Sequence, residues 1–243
     1  MSMTKEKLDH IAQTYHTSED VPDKHIEDML QEYSARWILE QLAGVDSVLE
    51  LGFGEGIITE VLVKEGKTIT LIEGSGILVD EVRRRWAGKL TCEHVLFEEY
   101  TPAKPFDAVL ASHVLEHVDE PVPLLKRIRT WLAPAGKLLI IVPNRESLHR
   151  QLAVLMGLAP TLDTLGPRDL LVGHQRVYSH VTLEEDLIAA GFKVAQASGY
   201  FLKPLPNNMM LDFSEELLNA MNEISPNLPK ELLANITVMA LPV

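Results

Sequence analysis

The chain has a single cysteine, Cys92, in 243 residues. One thiol cannot close an intramolecular disulfide or build a cysteine-based zinc site. It falls in the strand-like run LTCEHVLF, which marks it as a buried or half-buried residue rather than a nucleophile. Positive charge is also scarce. Lys and Arg number 22 against 35 Asp and Glu, a formal net charge of −13, with a pI of about 5.1. Such a surface repels phosphate backbones and argues against a nucleic-acid partner. The basic run RRR at 83–85 is short and reads as a solvated helix face. No stretch approaches 18 uninterrupted apolar residues, so no membrane span is expected. The N-terminal MSMTKEKLDH lacks the apolar segment of a secretory signal, and the chain reads as cytoplasmic. With no internal repeat, no low-complexity segment and a 46% hydrophobic content, it suits one α/β domain.

What is present is a regular alternation. Ile26, Met29, Leu30, Tyr33, Trp37, Ile38 and Leu42 recur at helical spacing and predict a helix over 25–42. Strands are predicted at VDSVLEL (45–51), TITLIEG (68–74), LTCEHVLF (90–97), FDAVLASHV (106–114) and KLLIIVPN (137–144). Between them lie helices from Ile57 to before Gly66, over 75–88, and over EPVPLLKRIRTWLAPAG, ended by Pro134 and Gly136. This spacing predicts parallel pairing through crossover helices. VLEL, AVLA and LLIIV have the aliphatic character of strands buried on both faces. TLEEDLIAAGF reads as a capped helix, FKVAQASGYF as a sixth strand, SEELLNAMNEI as a helix and ANITVMALP as a seventh strand. Two excursions interrupt the pattern, at about 145–180 and 204–232.

The stretch LELGFGEG puts Gly52, Gly54 and Gly56 on alternate positions directly after the first strand. Glycines there let the backbone approach a bound molecule with no Cβ in the way. The pattern is not G-x-G-x-x-G, because Ile57 stands three after Gly54, and no Gly-Lys-Ser/Thr is present, which excludes a P-loop. Two acids sharpen the reading. Glu73, at the end of the second strand and 21 positions after Gly52, can accept both ribose hydroxyls of a nucleoside. Glu50 would meet a cationic group rather than a pyrophosphate, which favours an amino-acid-bearing nucleoside over NAD.

VLELGFGEG, TLIEGS, FDAVLASHVLEHVDEP, LLKRIRTWLAPAGKLLIIVPN and LIAAGFKV resemble the class I S-adenosylmethionine-dependent methyltransferases, over roughly residues 25–200. The resemblance is to small-molecule enzymes that modify sugars, quinones and natural products. It implies a Rossmann-like seven-stranded, mostly parallel sheet with helices on both faces and its last strand antiparallel. It also implies that Gly52, Gly54 and Gly56 wrap the methionine part of the cofactor, with Glu50 near its amino group. Glu73 would hold the ribose, with Gly74 and Ser75 beside the adenosine. LFEE would cover the adenine, through Glu98 or through backbone amides near Phe97, because Leu96 stands where many relatives carry Asp. Ser112 and His113 would line the site near the sulfonium.

Methyl transfer to a hydroxyl needs positioning, exclusion of water and a base, and no metal follows from that chemistry. His113 is the leading base; His117 reads as structural or as a site residue. In GHQRVYS, His174, Arg176 and Tyr178 alternate and would project to one side of an extended chain, suiting a polar acceptor, or else form a solvated loop edge with Tyr178 packed inward. His174 is the second candidate base. Asn144, Arg145 and His149 follow the fifth strand and are expected to reach the pocket. Met209 and Met210 read as a pocket wall, as core, or as contacts of a homodimer. Tyr15 and His16 are expected in an N-terminal helical lid over about 1–43. The expected activity is methylation of an O or N of a small metabolite, a glycan precursor or nucleotide-linked sugar first and a quinone-like or natural-product ring second. The rivals are a non-catalytic S-adenosylmethionine-binding protein and an NAD-dependent oxidoreductase.

Overall fold

The structure is a computed structural model and describes residues 3–16 and 22–243. Seven strands form one sheet: β1 (Ser47–Leu51), β2 (Thr68–Glu73), β3 (Thr91–His94), β4 (Phe106–Ser112), β5 (Leu132–Pro143), β6 (Phe192–Tyr200) and β7 (Asn235–Pro242). Their order is β3-β2-β1-β4-β5-β7-β6. β7 runs antiparallel to both β5 and β6, and the other pairs are parallel. The strand count and the mostly parallel pairing agree with the sequence pattern, and the antiparallel last strand with the resemblance.

Strand side chains alternate between two apolar layers. Leu49, Leu51, Val109, Ala111, Leu138 and Ile140 join the layer that contains α5 (Pro121–Trp131) and α8 (His180–Ala189). Val48, Ala108, Leu110, Leu139 and Ile141 join the opposite layer, with α2 (Lys24–Gln41) and α3 (Ile57–Lys64). Each fully buried Leu or Ile contributes about 1.5–3 kcal/mol, so the central strands have one register that buries both faces. α4 (Gly76–Trp86) packs Leu78, Val82 and Trp86 around Leu71 and Phe53. Its arginines meet acids on its surface or nearby, Arg84 with Glu81 at 2.6 Å and Arg85 with Glu60 at 3.2 Å.

α5 and β3 end well short of their sequence pattern. α5 stops at Trp131, and Leu132 already pairs with Phe106 in the sheet. Pro134 disfavours helical backbone at Ala133, and burial of Leu132 draws the chain into β5. Gly136 is required there, since a Cβ would stand 2.9 Å from the Phe106 carbonyl oxygen. β3 ends at His94 and is largely exposed. As an edge strand it has one neighbour, and Leu96, Phe97 and Glu98 enter a turn instead.

The first excursion contains α6 (Leu148–Leu155) and α7 (Pro167–Leu171); the second contains α9 (Glu215–Glu223). Met210 is fully buried in the core, and Met209 is exposed. At the N-terminus, α1 (Lys5–Ile11) lies across the start of α4. Its Asp9 accepts from Ser75 Oγ at 2.6 Å and from Ile77 N at 3.2 Å. Residues 1–2 and 17–21 of the expected lid, and the side chain of His16, lie outside the described residues.

Candidate active site

Strand order reverses between β1 and β4: the chain steps from β1 outward to β3, then returns to the other side of β1. Ligands of open α/β sheets sit at the carboxyl ends of the strands at such a switch point. A cavity of about 350 Å³ opens there.

The glycine turn forms its floor. Gly52, Gly54 and Gly56 have φ of +78°, +55° and +79°, backbone that only glycine adopts without strain. A Cβ on Gly54 would enter open space, while one on Gly56 would run into the Phe53 ring. Glu50 is buried beside this turn and accepts from Thr59 Oγ1 at 2.9 Å. Burial pushes its carboxyl up to about 8, and the Thr59 bond offsets only part of that. Among the described residues no cation pairs with it, so it presents acidity to a positively charged guest. Glu73 is also buried, accepting from Phe53 N at 2.9 Å and Ser75 N at 2.6 Å. It thereby ties the ends of β1 and β2 together at the cavity. Leu96, Phe97 and Glu98 form the far wall. Gly74 and Ser75 line the cavity too, but helix α1 engages both: Leu8 stands where a Gly74 Cβ would be, and the Ser75 hydroxyl meets Asp9.

At the end of β4, Ser112 and His113 face the cavity. Ser112 Oγ is buried with no partner among the described residues. His113 has φ +54°, a left-handed conformation uncommon outside glycine. Its Nδ1 lies 3.1 Å from Glu116 Oε1, and Glu116 is fully buried. Burial opposes both charges, but the bond and mutual attraction prevail. His113 is held above its ordinary value and Glu116 below its own. Nδ1 therefore carries the proton toward the carboxylate, leaving Nε2 as the second ring nitrogen of a cavity residue.

His174 lines the cavity as well, with Nδ1 3.0 Å from Asp169 Oδ1. It meets His117 edge to face, centroids 4.7 Å apart. Donor atoms of Glu116, His117 and His174 lie within 4.8 Å of one another. A tetrahedral ion with bonds near 2.1 Å would hold donors about 3.4 Å apart.

The rest of GHQRVYS does not face the cavity. Arg176 donates to the carbonyls of Leu115 and Asp119, each at 3.0 Å, and to that of Val118. It props the turn after β4 and does not present a cation to substrate. Tyr178 is 2% exposed, in the core, and donates to Asp186 at 3.1 Å. Pairing of Tyr178 with Asn144 ends the simple alternation. Arg145 turns outward to Asp163 at 3.0 Å. Asn144 reaches the cavity wall, yet its amide donates to the carbonyls of Glu231 and Leu233, both at 2.9 Å.

His149 lines the cavity as the sequence led us to expect, and three basic groups not foreseen, Arg150, Arg168 and Lys203, join it there. Arg150 pairs with Asp169 at 2.9 Å. Arg168 meets Asp23 and the Tyr15 hydroxyl. Burial, with Lys203 and Arg150 nearby, drives the His149 imidazole down to about 2, so it is neutral. Lys203 follows β6 by three residues, at the same sheet edge as the glycine turn; that position was its signal in the sequence. Arg150 and Arg168 lie on α6 and α7 within the first excursion, where no motif in the sequence singled them out.

Residues 21–197 match the family model described as a methyltransferase domain. Among curated proteins, the ubiquinone biosynthesis O-methyltransferase of Aeromonas salmonicida is 29% identical over 182 residues, covering 72% of this chain and 75% of that protein. Among solved structures, the 1,6-didemethyltoxoflavin-N1-methyltransferase of Burkholderia thailandensis has a TM-score of 0.57 at 18% identity, covering 98% of this chain and 84% of the other. A glycopeptide N-methyltransferase complexed with S-adenosylmethionine has a TM-score of 0.59 at 18% identity, covering 87% and 93%. The open glycine cradle and a buried acid with no cation partner among the described residues suit an amino-acid-bearing nucleoside, and the family match spans both. The chain belongs to the class I methyltransferase-domain family, as an enzyme that uses S-adenosylmethionine.

Proposed function

We propose that the enzyme methylates a hydroxyl oxygen on a small, ring-bearing metabolite, with His113 as general base and Glu116 positioning it. The carrying observation is the His113–Glu116 bond at the cavity wall. A carboxylate on Nδ1 sets the tautomer and stabilises the imidazolium formed when Nε2 takes a proton. When bound, S-adenosylmethionine supplies a methyl group on a positive sulfonium, whose bonding pair stays with sulfur as the methyl leaves. Gly52, Gly54 and Glu50 would hold its amino-acid end and Glu73 its ribose. α1 would cover the adenosine side and exclude water. The acceptor oxygen gives its proton to His113 as it forms the new bond to carbon.

A ring acceptor is favoured over a sugar because Ile11, Leu30 and Val172 give the cavity an apolar wall, and the polar triad that supported a sugar is not assembled there. The similarity to ubiquinone biosynthesis O-methyltransferases points the same way. A nitrogen acceptor is the second reading, supported by the N-methyltransferases among the structural neighbours.

The test is methyl transfer from labelled S-adenosylmethionine to a panel of phenols and amines. His113→Ala should lower turnover on a phenol by about 10²–10⁴-fold while S-adenosylhomocysteine binds within a few-fold of wild type. Unchanged turnover would remove His113 from the role.

A further inference from the structure

The cations of the cavity are not equivalent. Arg150 is held by Asp169 and by the Thr164 carbonyl at 2.9 Å each. Arg168 is held by Asp23 and Tyr15, with Glu27 at 3.6 Å. Among the described residues, no hydrogen bond or ion pair engages the Lys203 ammonium, although it lines the cavity. Its neighbour His149 is similar, with Nδ1 buried and unpartnered. An ammonium and a neutral imidazole, both with unused hydrogen-bonding capacity among the described residues, thus line one cavity.

We propose that Lys203, assisted by an N–H of His149, receives a single carboxylate carried by the methyl acceptor, so that the substrate is a small hydroxy acid with a ring. This rests on the hydroxyl-acceptor reading above and names the class of acceptor. One uncommitted cation matches one negative charge. A phosphate dianion would ask for a second, and both arginines are already engaged. The carboxylates near Lys203 do not remove the need. Asp23 is bonded to Arg168, and Glu27 accepts from Asn207 Nδ2, so they attract Lys203 from a distance without bonding it. Burial, with Arg168 and Arg150 nearby, holds the amine below its ordinary value despite Glu27 and Asp23; an incoming carboxylate would supply the missing counter-charge. The apolar wall of Ile11, Leu30 and Val172 would take the ring.

The experiment is calorimetric titration of protein saturated with S-adenosylhomocysteine, using 4-hydroxybenzoate, its neutral isostere 4-hydroxybenzamide, and phenyl phosphate. Wild type should bind the benzoate at least about tenfold tighter than the amide. Lys203→Met should lose that preference with its affinity for S-adenosylhomocysteine unchanged, and Lys203→Arg should restore part of it. Equal binding of acid and amide by wild type overturns the proposal, as does a preference that survives in Lys203→Met. Tighter binding of phenyl phosphate overturns the assignment to a carboxylate. Failure of every probe to bind at millimolar concentration overturns the acid class. Failure of the base assignment would show separately, as unchanged turnover in His113→Ala.

Discussion

Glu50 should reveal itself through pH. A carboxyl that ordinarily titrates near 4.5 is pushed to about 8 by burial. In the ligand-free protein this raised value means that folding favours the protonated acid. The stabilising effect is therefore full below pH 4.5, falls as the unfolded chain ionises above it, and levels off past pH 8. At 1.36 kcal/mol per pH unit the span of roughly 3.5 pH units amounts to about 5 kcal/mol. That is an upper bound, because water entering the cavity relieves part of the burial. Glu50→Gln keeps the shape and an oxygen for Thr59 but cannot ionise. Urea denaturation of both proteins without ligand, from pH 5 to 8.5, isolates this carboxyl by difference. The two should be nearly equal at pH 5, and the variant should gain several kcal/mol on wild type by pH 8. Binding should show the converse. A cationic amino group needs the ionised acid, so wild-type affinity for S-adenosylhomocysteine should rise with pH up to about 8, while the variant binds weakly and without this slope. A stability difference that does not change with pH would refute the assignment of a buried, uncompensated carboxyl.

Further outcomes follow from single contacts. Gly56→Ala forces a Cβ into the Phe53 ring at a φ of +79°, so unfolding free energy should fall by about 2–4 kcal/mol; an unchanged thermal midpoint would contradict the packing. Arg176→Met removes donations to the carbonyls of Leu115, Val118 and Asp119. It should reduce stability by roughly 1.5–3 kcal/mol and lower kcat while leaving the acceptor KM nearly constant. A rise confined to KM would return Arg176 to substrate binding. Asp9→Ala removes the acceptor for Ser75 Oγ and Ile77 N. Faster hydrogen exchange in 5–11 and quicker release of S-adenosylhomocysteine should result, with little change in global stability; unaltered release would mean that α1 does not cover the ligand.

Much of this fold is legible residue by residue. The aliphatic runs around Val48, Leu110 and Ile140 are buried on both faces, and helices separate them at crossover distance, so parallel order follows without coordinates. Where the pattern overreached, local chemistry had the deciding role. Pro134 and the burial of Leu132 made sheet from expected helix, and the edge position of β3 released Leu96 to Glu98 into a turn. Cys92 behaves as its strand suggested, half-buried, with burial pushing the thiol up to about 11.

By itself the sequence determined the glycine turn, the two acids that flank it, and the placing of His113 at a strand end, because these depend on short-range order: a strand, its terminus and the next turn. Only the tertiary structure decided which excursion residues meet the cavity. Alternation tells which side chains share a side of an extended segment, but not which side faces the site. In 174–178 the carbonyls of the turn after β4 attracted Arg176, and the core took Tyr178. Lys203 came to the cavity instead because β6 runs parallel to β1 and delivers its carboxyl end to the same edge. That edge is assembled from segments far apart in the chain, with Gly52, Lys203 and Asn235 lining one cavity, and no local pattern encodes such an assembly.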